Sequence, residues 1–181
     1  VLWAGSDDGL VHVTRDGGKT WANITPPDLP EFTRVSRIEA SPHDAATAYL
    51  AANRYQRSDR APYVYRTNDF GRTWTKMVAG IRGNHFPRTI DEDPKRRGLL
   101  FLGTETGVYV SFDGGTAWQD FRLDLPVTPV HGVMVKNDDL VVATHGRSFY
   151  VMDNINVLRQ IARTTIDEPV VLFKPGEAMR S

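Results

Sequence analysis

Three stretches of this chain are copies of one another. Thr14-Arg15-Asp16-Gly17-Gly18-Lys19-Thr20-Trp21, Thr67-Asn68-Asp69-Phe70-Gly71-Arg72-Thr73-Trp74 and Ser111-Phe112-Asp113-Gly114-Gly115-Thr116-Ala117-Trp118 share Ser/Thr, Asp, Gly, Thr/Ala and Trp at fixed offsets. Asp16 and Asp69 lie 53 positions apart, and Asp69 and Asp113 lie 44 apart. A unit repeating at this length is a supersecondary element that buries its apolar face only by stacking on its neighbours. The length suits the four-stranded blade of a β-propeller.

The flanks repeat as well. Alternating strands precede each copy at Leu10–Val13, Tyr63–Arg66 and Val108–Val110. Before these come strands ending in small or polar residues, at Leu2–Ser6, Ala48–Ala52 and Leu99–Thr104. Ser36–Pro42 and Arg88–Pro94 read as a further strand and turn opening the second and third units. A degenerate fourth unit spans 131–155, with strands at His131–Val135, Leu140–Thr144 and Ser148–Val151; it keeps Asp153 but has no Trp. The expected fold is therefore all-β, a propeller segment of about three and a half four-stranded blades over residues 1–155. Residues 156–181 are expected to form a linker, with a short helix at Asn156–Ala162 and a strand at Glu168–Pro175. The chain opens inside a strand at Val1 and carries no signal peptide, so it is expected to be a cleaved product or a piece of a longer protein.

Each residue type in the motif has a folding task. Glycine permits the positive φ of a tight turn. The aspartate accepts hydrogen bonds from turn amides, and the Ser or Thr hydroxyl ties the incoming strand to it. The Trp starts the outgoing strand and needs a partner for its indole N–H. Asp16, Trp21, Asp69, Trp74, Asp113 and Trp118 are accordingly read as structural.

These residues resemble the Asp-box, or bacterial neuraminidase (BNR) repeat, of sialidases, xyloglucanase-type glycosidases, sortilin-type receptors and a photosystem assembly factor. Val142–Asp153, with His145-Gly146-Arg147, is similar to a strand pair of large secreted bacterial propellers labelled "glycosyl hydrolase, BNR repeat". The resemblance covers about residues 1–160 and implies a secreted or periplasmic setting. It implies no single activity, because the motif serves enzymes, receptors and assembly factors alike.

Composition narrows the field. Lys plus Arg and Asp plus Glu each number 22, so bulk electrostatics do not favour nucleic acid. No apolar run is long enough to span a membrane as a helix. The absence of cysteine excludes disulfides and thiolate chemistry. His12, His43, His85, His131 and His145 are scattered without a metal-ligand spacing, and no cofactor fingerprint occurs, so neither metal nor cofactor is expected.

A sialidase would need an arginine clamp and a nucleophilic Tyr–Glu pair, and other glycosidases need two channel-facing carboxylates. Arg34, Arg37, Arg54, Arg57, Arg60, Arg82, Arg88 and Arg147 fall near loops or strand starts, but Arg37-Ile38-Glu39 is only a faint echo of the sialidase arginine motif. Asp7, Asp8 and Glu105 sit at comparable strand ends and Asp91, Glu92 and Asp93 at a turn, and each of the six reads as a solvated turn acid. No catalytic residue is assigned.

Propeller ligands bind where the innermost strands begin. Arg37, Arg88 and His131 are read as occupying matching positions there, with His145 and Arg147 as a second candidate pair. The Arg- and Tyr-containing insertion Asn53–Pro62 is read chiefly as a solvated loop. Two functions remain open. One is a non-catalytic module binding or scaffolding a polysaccharide or protein ligand; the other is part of a secreted glycoside hydrolase whose catalytic residues lie partly outside this chain. The expected partners are a glycan or protein ligand, together with the rest of a larger propeller or a second copy of the chain.

Overall fold

The structure, a computed structural model, describes residues 1–122, 124–161 and 170–175. Among the described residues, fourteen strands form four antiparallel sheets in chain order. Blade 1 holds β1 (Leu2–Gly5), β2 (Val11–Thr14) and β3 (Ala22–Asn23). Blade 2 holds β4 (Arg34–Ala40), β5 (Ala48–Arg54), β6 (Asp59–Thr67) and β7 (Thr75–Lys76). Blade 3 holds β8 (Pro87–Glu92), β9 (Leu100–Thr104), β10 (Val108–Ser111) and β11 (Gln119–Asp120). Blade 4 holds β12 (Val130–Lys136), β13 (Asp139–Thr144) and β14 (Phe149–Met152), followed by the short helix α1 (Asn156–Gln160). This is a partial β-propeller, with the innermost strands β4, β8 and β12 side by side.

Alternation along each strand sends one set of side chains to the preceding blade and the other to the following one. Tyr63, Tyr65 and Leu50 pack against Val11 of blade 1, while Tyr49, Ala51 and Val64 pack against Leu100, Leu102 and Tyr109 of blade 3. Phe101, Val108 and Val110 meet Val133, Leu140 and Val142 of blade 4. The core thus lies between sheets, and no blade has one of its own.

The three repeat hairpins share one hydrogen-bond plan. Thr14, Thr67 and Ser111 donate side-chain hydroxyls to Asp16, Asp69 and Asp113 at 2.8, 2.9 and 2.8 Å. The same hydroxyls accept from the N–H of Gly18, Gly71 and Gly115. Each aspartate then accepts a backbone N–H four residues on, from Thr20, Thr73 and Ala117. Thr20 and Thr73 add a hydroxyl donor at 2.6 and 2.7 Å, which Ala117 lacks. Hydrogen bonds from Thr20 hold the Asp16 carboxyl below the usual range, and those from Thr73 do the same for Asp69.

Two of the three hairpin tryptophans then reach back one blade. Trp74 Nε1 donates to Ile24 O at 2.6 Å, and Trp118 Nε1 donates to Met77 O at 3.1 Å. Ile24 and Met77 hold the same place, one residue past the outermost strand. Their side chains lie where a Cβ on Gly71 or Gly115 would have to stand, so glycine is required there for contact as well as for its positive φ.

Two expectations need correction. Asp91, Glu92 and Asp93 are 7%, 3% and 0% exposed, not solvated. Glu92 accepts from Ser41 Oγ, Tyr49 OH and Gly98 N, and Asp93 accepts from the N–H groups of Lys95 and Arg96. These acids serve as buried acceptors at the turn between β8 and β9. The expected strand at 168–175 is also absent from its described part: residues 170–175 have no regular structure, and Gln160 pairs with both backbone polar groups of Lys174. Residues 168 and 169, and Ala162 of the expected helix, lie outside the described residues.

Blade 4 has no tryptophan hairpin, and α1 stands at the corresponding end. Arg159 is 2.8 Å from Asp93, and it also bonds Asp138, Asn156 and the Asn137 carbonyl. Arg96 donates to Leu158 O from the blade 3 side.

Two stability tests follow from this geometry. Arg159→Leu strands the buried Asp93 without its cation, and about 3–5 kcal/mol of unfolding free energy should be lost in urea titration. Ala117→Thr supplies the hydroxyl that the other two hairpins have, and the same titration should show a gain of about 0.5–1.5 kcal/mol.

Candidate ligand-binding mouth

Antiparallel pairing brings the starts of the inner strands to the same end as the β1–β2, β5–β6, β9–β10 and β13–β14 turns. Each inner strand carries a register shift near its start. The unpaired residues are Ser36 in β4, Arg88 in β8 and His131 in β12. A bulge leaves its extra residue outside the ladder and re-aims that side chain. At the end of the neighbouring strand, Asn53, Glu105 and His145 hold matching places.

Each blade therefore presents one pair at the mouth. Asn53 Nδ2 donates to Ser36 Oγ at 2.6 Å and to Pro87 O of the next blade at 3.2 Å. Arg88 Nε donates to Glu105 Oε2 at 2.6 Å. The rings of His131 and His145 lie 5.1 Å apart at 37°. Partial burial, the Arg88 guanidinium and His145 together push His131 below the usual imidazole range, so its neutral form is favoured.

Arg37 is not part of this row. The bulge makes Ser36, not Arg37, the counterpart of Arg88 and His131, and the one-residue offset sends Arg37 along the inner strand. There its guanidinium pairs with Glu39 at 2.7 Å. Asp91, two blades' inner strands being aligned, is the register counterpart of Glu39 and accepts from Val135 N at 2.9 Å. Burial, opposed by that hydrogen bond and reinforced by Glu39, pushes Asp91 up to about 7. His145 turns toward His131, whereas Arg147 is exposed in the β13–β14 turn.

The insertion after Asn53 is built into the mouth. A 3-10 turn at Tyr55–Arg57 is closed by the Arg54–Asp59 pair at 3.2 Å and by Tyr63 OH donating to Asp59 at 2.7 Å. Tyr55 stacks on Phe86 with centroids 5.2 Å apart, and the Arg88 guanidinium lies 5.1 Å from both rings. Beside this stack a cleft of about 720 Å³ runs toward blade 1, lined by Asp7, Asp8, Arg34, Arg54, Arg57 and Phe32 among others. The site thus combines fixed cations, carboxylates, amide groups and an aromatic edge. That chemistry suits recognition of a polar, extended ligand. Sequence reasoning named Arg88, His131 and His145 but missed Ser36 and Asn53, because a bulge leaves no compositional mark. Among the described residues, no cluster of three or more His, Asp or Glu is arranged to hold a metal ion.

No protein-family model and no curated protein sequence matches this chain. Solved structures do. YCF48 bound to D1 peptide superposes with a TM-score of 0.60 at 19% identity, over 83% of this chain and 47% of that one. The GH74 xyloglucanase from Xanthomonas campestris gives 0.64 at 20% identity, over 84% of this chain and 27% of that one. The GH74 enzyme of Niastella koreensis gives 0.64 at 19%, over 84% and 26%. The chain spans about a quarter to a half of these structures, and at such identities the likeness establishes the propeller fold alone.

The raised Asp91 carboxyl makes a pH test. A carboxyl that titrates near 7 when folded and near 4 when unfolded contributes stability that is full below about pH 4 and is lost as pH rises through about 7. Asp91→Asn keeps an acceptor for Val135 N but cannot ionise. The stability of the unaltered chain relative to this variant, measured by urea titration from pH 4 to 8, should fall with pH and level off above 7.

Proposed function

We propose that this chain is a non-catalytic propeller module of the Asp-box type, which binds or scaffolds an extended polysaccharide or protein ligand across its mouth. The observation that carries this reading is the row of three side-chain pairs, Ser36–Asn53, Arg88–Glu105 and His131–His145, set at one register by three successive bulges. Glu105, the carboxylate of the row, is tied to Arg88, which suits binding better than proton transfer. The structural neighbours, YCF48 with its bound D1 peptide and a GH74 xyloglucanase, support a choice between protein and glycan ligands. The resemblance to secreted propellers supports a site of action outside the cytoplasm.

The second reading, part of a glycoside hydrolase, is favoured by one arrangement: Asp91 shares its register with Glu39 on the adjacent inner strand, and burial pushes its carboxyl up to about 7. Asp91 is buried and bonded to Val135 N, which supports a structural role for it.

Calorimetric titration with xyloglucan oligosaccharides and with an acidic peptide decides between the readings when paired with a reducing-sugar assay. Binding to either ligand without sugar release is the expected result, and Arg88→Ala should weaken it about tenfold or more, the loss of one charge-assisted contact. Sugar release that is abolished by Asp91→Asn would establish the second reading instead.

A further inference from the structure

We propose that the face of blade 1 bearing Trp21 is the seat of a further, complete four-stranded propeller blade. That blade presents the main-chain carbonyl just past its outermost strand to Trp21 Nε1, and it lays the bulky side chain of the same residue over Gly18.

The inference rests on a contact that the chain makes twice. Trp74 and Trp118 each donate to the residue just past the outermost strand of the blade before, and Gly71 and Gly115 receive that residue's side chain. Trp21 and Gly18 hold the same places in blade 1. Trp21 is 46% exposed, and a Cβ on Gly18 would meet nothing within 4 Å. The rest of the face agrees. Leu2, 52% exposed, is the counterpart of Ala48 and Leu100, both fully buried. Leu10 is the counterpart of Tyr63, buried against blade 1. An apolar face rimmed by an indole donor, continuous with two established interfaces of identical plan, marks an interaction surface.

The identity of the occupant follows from the acceptor that Trp21 requires. A second copy of the chain could offer the free face of its blade 4, where Met134, Phe149 and Val151 are exposed. That blade is three-stranded and, among the described residues, has no strand beyond β14 to supply the carbonyl. A four-stranded blade supplies it. The first hairpin carries Asp-Gly-Gly like the third, whose incoming residue is Met77, so a long flexible apolar side chain fits this seat.

The chain's own sequence provides the probe. Leu2 and Leu100 face the first residue of their hairpin motifs in the same register, so residues 34–98 can be repeated directly ahead of Val1 without a register change. The extension adds a complete blade ending in a copied Met77, followed by an inner strand. A second extension, residues 87–138, keeps the register through Leu140 and brings a copied Phe121 instead.

Hydrogen exchange of the indole N–H groups is followed by NMR, with Trp21 assigned through Trp21→Phe and with Trp74 and Trp118 as protected references. In the unextended chain Trp21 should exchange freely; in an extended chain its exchange should slow at least tenfold. Trp21→Phe should lower Tm by about 2–4 °C in the extended chain and leave the unextended chain unchanged. Free exchange of Trp21 in both extended chains overturns the proposal. So does a protected Trp21 in the unextended chain with a dimer mass by light scattering, which would assign the face to a second copy. Neither readout involves ligand at the mouth, so failure here is separate from failure of the binding reading.

Discussion

An indole N–H that crosses from one blade to the last carbonyl of the blade before is the fastening on which this structure depends. A single such bond contributes little beyond about 1 kcal/mol. Its importance lies in what must be in place for it to form. The tryptophan is aimed by a hairpin whose aspartate, hydroxyl and glycine amide are locked together, and the glycine leaves room for Ile24 or Met77. Once two blades meet this way, the faces that alternate along their strands are brought together, and the core forms between sheets.

Where the hairpin is absent, a different device does the same work. Blade 4 has Asp153-Asn154 without a tryptophan, and α1 swings back so that Arg159 and the Leu158 carbonyl engage Asp93, Asp138 and Arg96. A charged pair with one partner fully buried stands in for an indole and an apolar seat. Such a pair is less forgiving than the contact it replaces, because losing the cation leaves a carboxylate in a poorly solvated place.

The mouth is a consequence of the same stacking. Each inner strand has one bulge near its start, and regular packing of the blades brings the three bulges to one level. Side chains as unlike as Ser36, Arg88 and His131 therefore share a geometric place, each with a partner from the adjoining strand. Frame and mouth are separated: repeat residues hold the frame, and non-repeating residues at equivalent positions make a surface that differs blade by blade.

The amino-acid sequence by itself determined the blades. Spacing, alternation and the three hairpin copies, from Asp16 to Trp118, encode local structure and depend on residues near one another in the chain, so strand order and the two incomplete sheets were legible without coordinates. Only the tertiary structure decided the rest. The acids Asp91, Glu92 and Asp93 read as a solvated turn because acids are common there, yet their environment is set by residues such as Ser41, Val135 and Arg159, each more than 40 positions away from its partner. Arg37 read as the counterpart of Arg88, yet a one-residue bulge gave that place to Ser36. Burial and register at the end of a strand are settled by the neighbouring sheet, and a sequence pattern carries no record of which neighbour that will be.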